Sequence, residues 1–219
     1  MSSEGFTDAM RREAGARWDS IVNHPFTTEL GAGTIPEAAM RKYCIQDHRF
    51  LDAFVVLLSS MVAHAPSLAD RIPGCQFLAL ITGKENTYFE RTLDALGVTA
   101  EQRASVPDEP CTTAFKTLMR DAAASGSLVE MLSVLVVCEW SYQSWGERVL
   151  ATSAAEPWWC QEWVALHSGD YFGSVVSYLR ELLDREAAKM NDAELAGAKA
   201  RFMQTVEVEN AFFEMAFGS

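Results

Sequence analysis

No stretch of the chain alternates apolar and polar residues at period two, and its β-branched residues fall at helical spacing, so no sheet is expected. A cluster of lysine and arginine is missing as well. With 18 basic against 30 acidic side chains the net charge is −12, which repels polyanions and argues against a nucleic-acid partner. The five cysteines, Cys44, Cys75, Cys111, Cys138 and Cys160, are odd in number and lack CxxC spacing, which points to a reducing cytoplasm and no zinc site. The longest uncharged run, residues 53–69, is broken by His64 and Pro66 and is too short to span a bilayer. Acidic residues stand early and no apolar core follows, so the N-terminus does not read as a secretory leader.

What the chain has is helical periodicity in quantity. Hydrophobic residues make up 49% and charged residues 22% of 219, ordinary globular usage, and no linker divides the chain, so one domain over residues 1–219 is expected. The fold class is all-α, with about seven or eight helices. An opening helix over about 7–22 buries Met10, Ala14, Trp18 and Ile21, and a loop with Gly31 and Gly33 follows. A second helix, begun by Pro36, runs to about His64. A third is expected over about 73–96, with Lys84, Glu85, Glu90 and Arg91 on a solvated face, and then a polar connection over 98–109. Helices over about 111–124, 128–149 and 170–190 come next, with a short amphipathic segment at Trp163 and His167, and Asn191 with Glu194 forms a capping box that starts the last helix.

Three apolar seams contain a group that is costly or reactive when buried. Met40, Tyr43, Asp47, Phe50, Phe54, Leu57 and Met61 follow one another at three- and four-residue steps, with Asp47 the single charge. Leu128, Met131, Leu135, Cys138, Tyr142, Trp145 and Val149 do the same around a thiol, and Leu195, Ala198, Phe202, Thr205, Glu209, Phe212 and Ala216 around a second carboxylate. Cys138 reads either as a small buried hydrophobe or as a nucleophile. Asp47 reads either as a structural hydrogen-bonder or as a ligand contact. Brought together, a nucleophile, a tyrosine one turn away and two carboxylates suit covalent catalysis on a flat heteroaromatic ligand. His167 is the candidate for a Cys–His pair, and Glu139 is a rival acid turned off the seam. No Lys or Arg lies between Asp121 and Glu147, so any activation of the thiol must come from helices packed around it. A carboxylate-bridged di-iron site needs Glu-x-x-His pairs, which the chain lacks, and neither His24, before a proline, nor His64, at a helix end, suits haem.

The order of short motifs resembles the TenA family of thiaminase II enzymes, the aminopyrimidine aminohydrolases. The resemblance rests on His24-Pro25-Phe26, Gly33-Thr34-Ile35-Pro36, Tyr43 to Asp47 (YCIQD), Cys138 to Tyr142 (CxWxY) with Gly146, Glu162-Trp163-Val164, and Glu209 before Phe212-Phe213. It implies a haem-oxygenase-like bundle without haem, a homotetramer, no metal or other cofactor, and a cytoplasmic role in thiamine salvage. The implied substrate is 4-amino-5-aminomethyl-2-methylpyrimidine, with thiamine cleaved by many members. By the same resemblance Cys138 is the nucleophile, Glu209 the proton-transfer residue, Asp47 the holder of the pyrimidine nitrogens and Tyr142 the hydroxyl that positions the thiol. Phe50, Phe115 and His167 stand where tyrosines are found in the family, and a branch of it replaces the cysteine with a glutamate, which Glu139 echoes. A regulatory or binding module on the same scaffold, or another metal-free reaction on a heteroaromatic ligand, is the alternative.

Overall fold

Helix α9, Leu128–Leu150, lies at the centre of the molecule. Its first half is apolar all round, Val129 and Met131 to Val137 being buried without a gap, and a helix of that kind needs neighbours on every side. The computed structural model, which describes residues 4–218, supplies them: α2 (Ala16–Val22), α3 (Pro25–Ala32), α4 (Glu37–His64), α8 (Pro110–Ala124), α10 (Trp158–Leu166), α11 (Gly169–Ala187) and α12 (Asp192–Phe217) all pack on α9. The remaining helices are α1 (Phe6–Ala14), α5 (Leu68–Leu80), α6 (Asn86–Ala95) and α7 (Ala100–Ser105), with a π-helical turn at Ile81–Glu85 between α5 and α6. No strand occurs among the described residues, and no helix among them is long and apolar enough to cross a membrane. Their buried side chains form one continuous core from Met10 to Ala216.

Among the described residues the expected seven or eight helices become twelve, because two expected helices break and two expected connections are helical. The opening helix splits at Gly15, whose φ of 51° is costly for any residue with a Cβ. The stretch expected as a loop before Gly33 is helix α3. His24 caps it by accepting from the Phe26 amide at 3.0 Å, Pro25 occupies its first position, and Gly33 ends it at φ 67°. The helix expected over 73–96 starts earlier, where Ser67 accepts from the Asp70 amide at 3.2 Å, tolerates Pro73, and is interrupted by the π-turn. The polar connection contains α7, closed by a Thr99–Gln102 capping box. The capping box at the start of α12 is present: Asn191 Oδ1 accepts from the Glu194 amide at 3.1 Å, and the Glu194 carboxylate from the Asn191 amide at 2.9 Å.

One close approach fixes the mouth of the site. Gly146 of α9 lies against the backbone of His167, and a Cβ there would overlap the His167 carbonyl oxygen. Gly146→Ala is therefore expected to destabilise by about 3 kcal/mol, through displacement of the turn after α10. Gly83, in the π-turn, has open space around it, so Gly83→Ala is expected to stabilise by about 0.5–1 kcal/mol. Urea midpoints of the two variants against the parent measure both.

Candidate active site

The three seams meet. Asp47, Phe50 and Phe54 from α4, Phe115 from α8, Cys138, Glu139 and Tyr142 from α9, and Glu209 and Phe212 from α12 line one cavity, together with Ile81 and Glu85 of the π-turn and with Trp163 and His167. All seven residues named from the sequence line it: Cys138, Glu209, Tyr142, Asp47, Phe50, Phe115 and His167. One wall is a set of tilted phenyl rings, Phe50 meeting Phe115 edge-on at 4.8 Å between centroids and Phe54 stacking at 5.5 Å. Opposite stand Tyr142 and the Trp163–His167 pair, the latter two 4.2 Å apart. A slot between aromatic walls suits a flat ring, and the polar groups around it then set the ring's orientation.

Those polar groups carry an unusual balance: four carboxyls and a thiol line the cavity, and no lysine or arginine does. The helices around Cys138, from which any activation of the thiol had to come, thus bring acids and no cation into the cavity lining. Burial pushes the Cys138 thiol well above its ordinary value, and neighbouring Glu209 and Glu139 push it further. Glu209 is itself raised, first by burial and then by Asp47, with the adjacent thiol opposing. In the empty site the thiol keeps its proton, and the nearest group able to take it is the Glu209 carboxyl.

Asp47 is driven up to about 7 by burial, opposed by a hydrogen bond from the Tyr43 hydroxyl. Tyr43 stands one turn before Asp47 and was placed only in the α4 seam by periodicity. Its hydroxyl also lies 2.9 Å from that of Tyr142, so a chain of phenols links Asp47 on α4 to α9. The hydroxyl of Tyr142 therefore pairs with Tyr43 and not with the thiol it was expected to position.

His167 does not form a Cys–His pair. Its Nδ1 donates to the Trp163 carbonyl at 2.9 Å, and burial lowers its pKa to about 4, leaving a neutral ring in the wall. Two acids were misplaced by helical spacing. Glu139, expected to turn off the seam, lines the cavity because the cavity wraps around α9 far enough to take in consecutive residues. Glu85, expected on a solvated face, is buried in the cavity wall because the π-turn inserts one residue and rotates it inward. Gly83 at mid-helix was the only mark of that irregularity in the sequence. Glu162, by contrast, faces outward and pairs with Arg91 at 2.9 Å.

Comparison with known proteins identifies the family and the fold. The model of the TENA/THI-4/PQQC family matches residues 11–219. The chain belongs to this family. It is 25% identical to an aminopyrimidine aminohydrolase of Halalkalibacterium halodurans over 97% of its own length and 95% of that protein's. A TenA homologue from Pyrococcus furiosus superposes with a TM-score of 0.86 at 21% identity, covering 97% of this chain and 100% of that one. A protein of heme oxygenase-like fold from Shewanella denitrificans superposes at 0.70 with 14% identity, over 98% and 93% of the two chains. The fold is thus the haem-oxygenase-like helical bundle.

The buried carboxyl at Asp47 has a cost that depends on pH. Its raised pKa means that the folded protein holds a proton which the unfolded chain releases above about pH 4, so stability falls as pH rises to about 7 and is then level. Asp47→Asn, neutral throughout, is expected to gain on the parent over that interval by up to about 4 kcal/mol while losing activity. Thermal unfolding of both ligand-free proteins at pH 4, 5.5 and 8 measures the divergence.

Proposed function

We propose that the protein is a hydrolase that releases ammonia from aminopyrimidines of the type 4-amino-5-aminomethyl-2-methylpyrimidine, by covalent catalysis at Cys138. The observation that carries the reading is the thiol of Cys138 beside the Glu209 carboxyl, with Asp47 and aromatic rings lining the same cavity. Relatives named aminopyrimidine aminohydrolase, at 23–25% identity over nearly the whole chain, support the same reaction class. With that reading go residues 1–219 acting as one domain, a cytoplasmic location, a part in thiamine salvage and the homotetramer implied by the family resemblance.

In this mechanism Asp47 grips the ring nitrogen and the 4-amino group together, accepting from one and, when protonated, donating to the other. Glu209 takes the thiol proton as sulfur bonds to the electron-poor ring carbon, and the displaced ring electron pair accepts that proton at nitrogen. The pair then returns to expel the amine from the exocyclic methylene, and ammonia leaves. Water adds to the methylene carbon, the carbon–sulfur bond breaks, and thiol and aromatic ring are restored. The net change is one water consumed and one amine replaced by hydroxyl. Phe50 and Phe115 supply stacking without a hydroxyl, so ring orientation falls chiefly to Asp47.

Ammonia release from 4-amino-5-aminomethyl-2-methylpyrimidine by the parent, Cys138→Ser and Glu209→Gln tests this reading. A fall in kcat of at least about 10³-fold in each variant is expected. Absence of turnover by the folded parent, with thiamine tried as second substrate, would sink the assignment.

A further inference from the structure

Two of the four cavity carboxyls have no task in the reaction as derived. Glu85 and Glu139 are both more than nine-tenths buried, and both line the cavity. Among the described residues neither has a hydrogen bond or an ion pair. A buried carboxyl kept for structural reasons has a donor, because leaving it bare costs several kcal/mol. Here no donor comes from the protein. Nor do the acids form a metal cage, since among the described residues no three His, Cys, Asp or Glu side chains converge closely enough to hold an ion. Their oxygens open onto the cavity, where water in the empty site and a ligand in the occupied one can supply the donor.

The arrangement says where on the ligand it sits. After burial, Glu139 and Asp47 push the Glu85 carboxyl up, and Glu209 and Asp47 push up that of Glu139. The thiol feels Glu209 and Glu139 but not Glu85. Glu139 adjoins Cys138 on α9 and Glu85 stands on the π-turn, so the pair extends along the cavity lining from beside the nucleophile to the π-turn wall. A group projecting from a ring held at Asp47 and attacked by Cys138 has this pair as its surroundings. An ammonium fits it best, with three N–H donors and a charge that lets the acids ionise.

Resting on the hydrolase reading, we propose that Glu85 and Glu139 form the subsite for the substrate's leaving ammonium group, so that the enzyme selects aminomethylpyrimidines over counterparts with a neutral substituent at the same carbon. Two consequences follow from the charge. The substrate supplies the positive charge that the cavity lacks, which favours the thiolate only when there is something to attack. The hydroxymethyl product is neutral, loses the pair's attraction and leaves.

The test is calorimetric titration of Cys138→Ser, which blocks turnover, with 4-amino-5-aminomethyl-2-methylpyrimidine and with its 5-hydroxymethyl counterpart. The same titrations are run after adding Glu85→Gln and Glu139→Gln, singly and together, with circular dichroism confirming that each protein is folded. The amine is expected to bind about 10–100-fold more tightly than the alcohol. The double replacement is expected to reduce that preference to within about threefold while leaving alcohol affinity nearly unchanged. The single variants, each nearly isosteric, give intermediate ratios and stand in if the double variant does not fold. Equal affinity for the two ligands before replacement, equal loss of both afterwards, an unaltered ratio, or binding of neither overturns the proposal. Ammonia release by the parent is scored separately: turnover without the binding preference sinks the subsite alone, and the preference without turnover sinks the hydrolase alone.

Discussion

The constraint on which the structure depends is the enclosure of four carboxyls and a thiol around one cavity with no cation among its lining side chains. Like charges in a dry site cannot all ionise, so the empty cavity holds protons. The surrounding bundle must therefore be stable enough to carry a set of groups that weaken it at neutral pH. It does so by wrapping α9 on every side and by filling the space between helices with fully buried rings such as Trp18, Trp145, Phe26 and Phe202. Surface ion pairs such as Arg11–Asp19 or Arg41–Glu37 add little, being exposed.

His167 opposes the acids in its effect on pH dependence. As a buried neutral imidazole it resists protonation until about pH 4, so it weakens the fold as pH falls below its ordinary value, while Asp47 weakens it as pH rises. Between about pH 4 and 6.5 the two slopes oppose and largely cancel, so together the two groups cost the empty protein stability without giving it a steep pH dependence. Ligand binding changes only the Asp47 slope.

Much of the site was legible because its main residues stand on long, regular helices. Asp47, Cys138 and Glu209 each interrupt an apolar series at three- and four-residue steps, and α4, α9 and α12 keep their phase over the whole series. Legibility ended where phase ended. Glu85 ends a π-turn, so counting residues put it on the wrong face. Glu139 adjoins Cys138, and a one-face description of α9 had no place for both. Tyr43 was read as core because a phenol on an apolar seam gives no sign of whether its hydroxyl meets water, a carbonyl or another phenol. Helix α3 was missed because its two glycines outweighed the start signal of His24-Pro25. Convergence of three seams on one cavity was an inference until the packing of α4 and α12 on α9 supplied it.

The phenol pair of Tyr43 and Tyr142 and the acids around Cys138 also bear on the survival of the protein between turnovers. Peroxide and alkylating agents attack thiolates, and attack them faster where they are exposed. A cysteine that is 3% exposed, its thiol raised in pKa by burial and by acid neighbours, presents neither form to such reagents. The acidic setting that makes Cys138 a reluctant nucleophile in the empty cavity thus also slows its reaction with such reagents between turnovers.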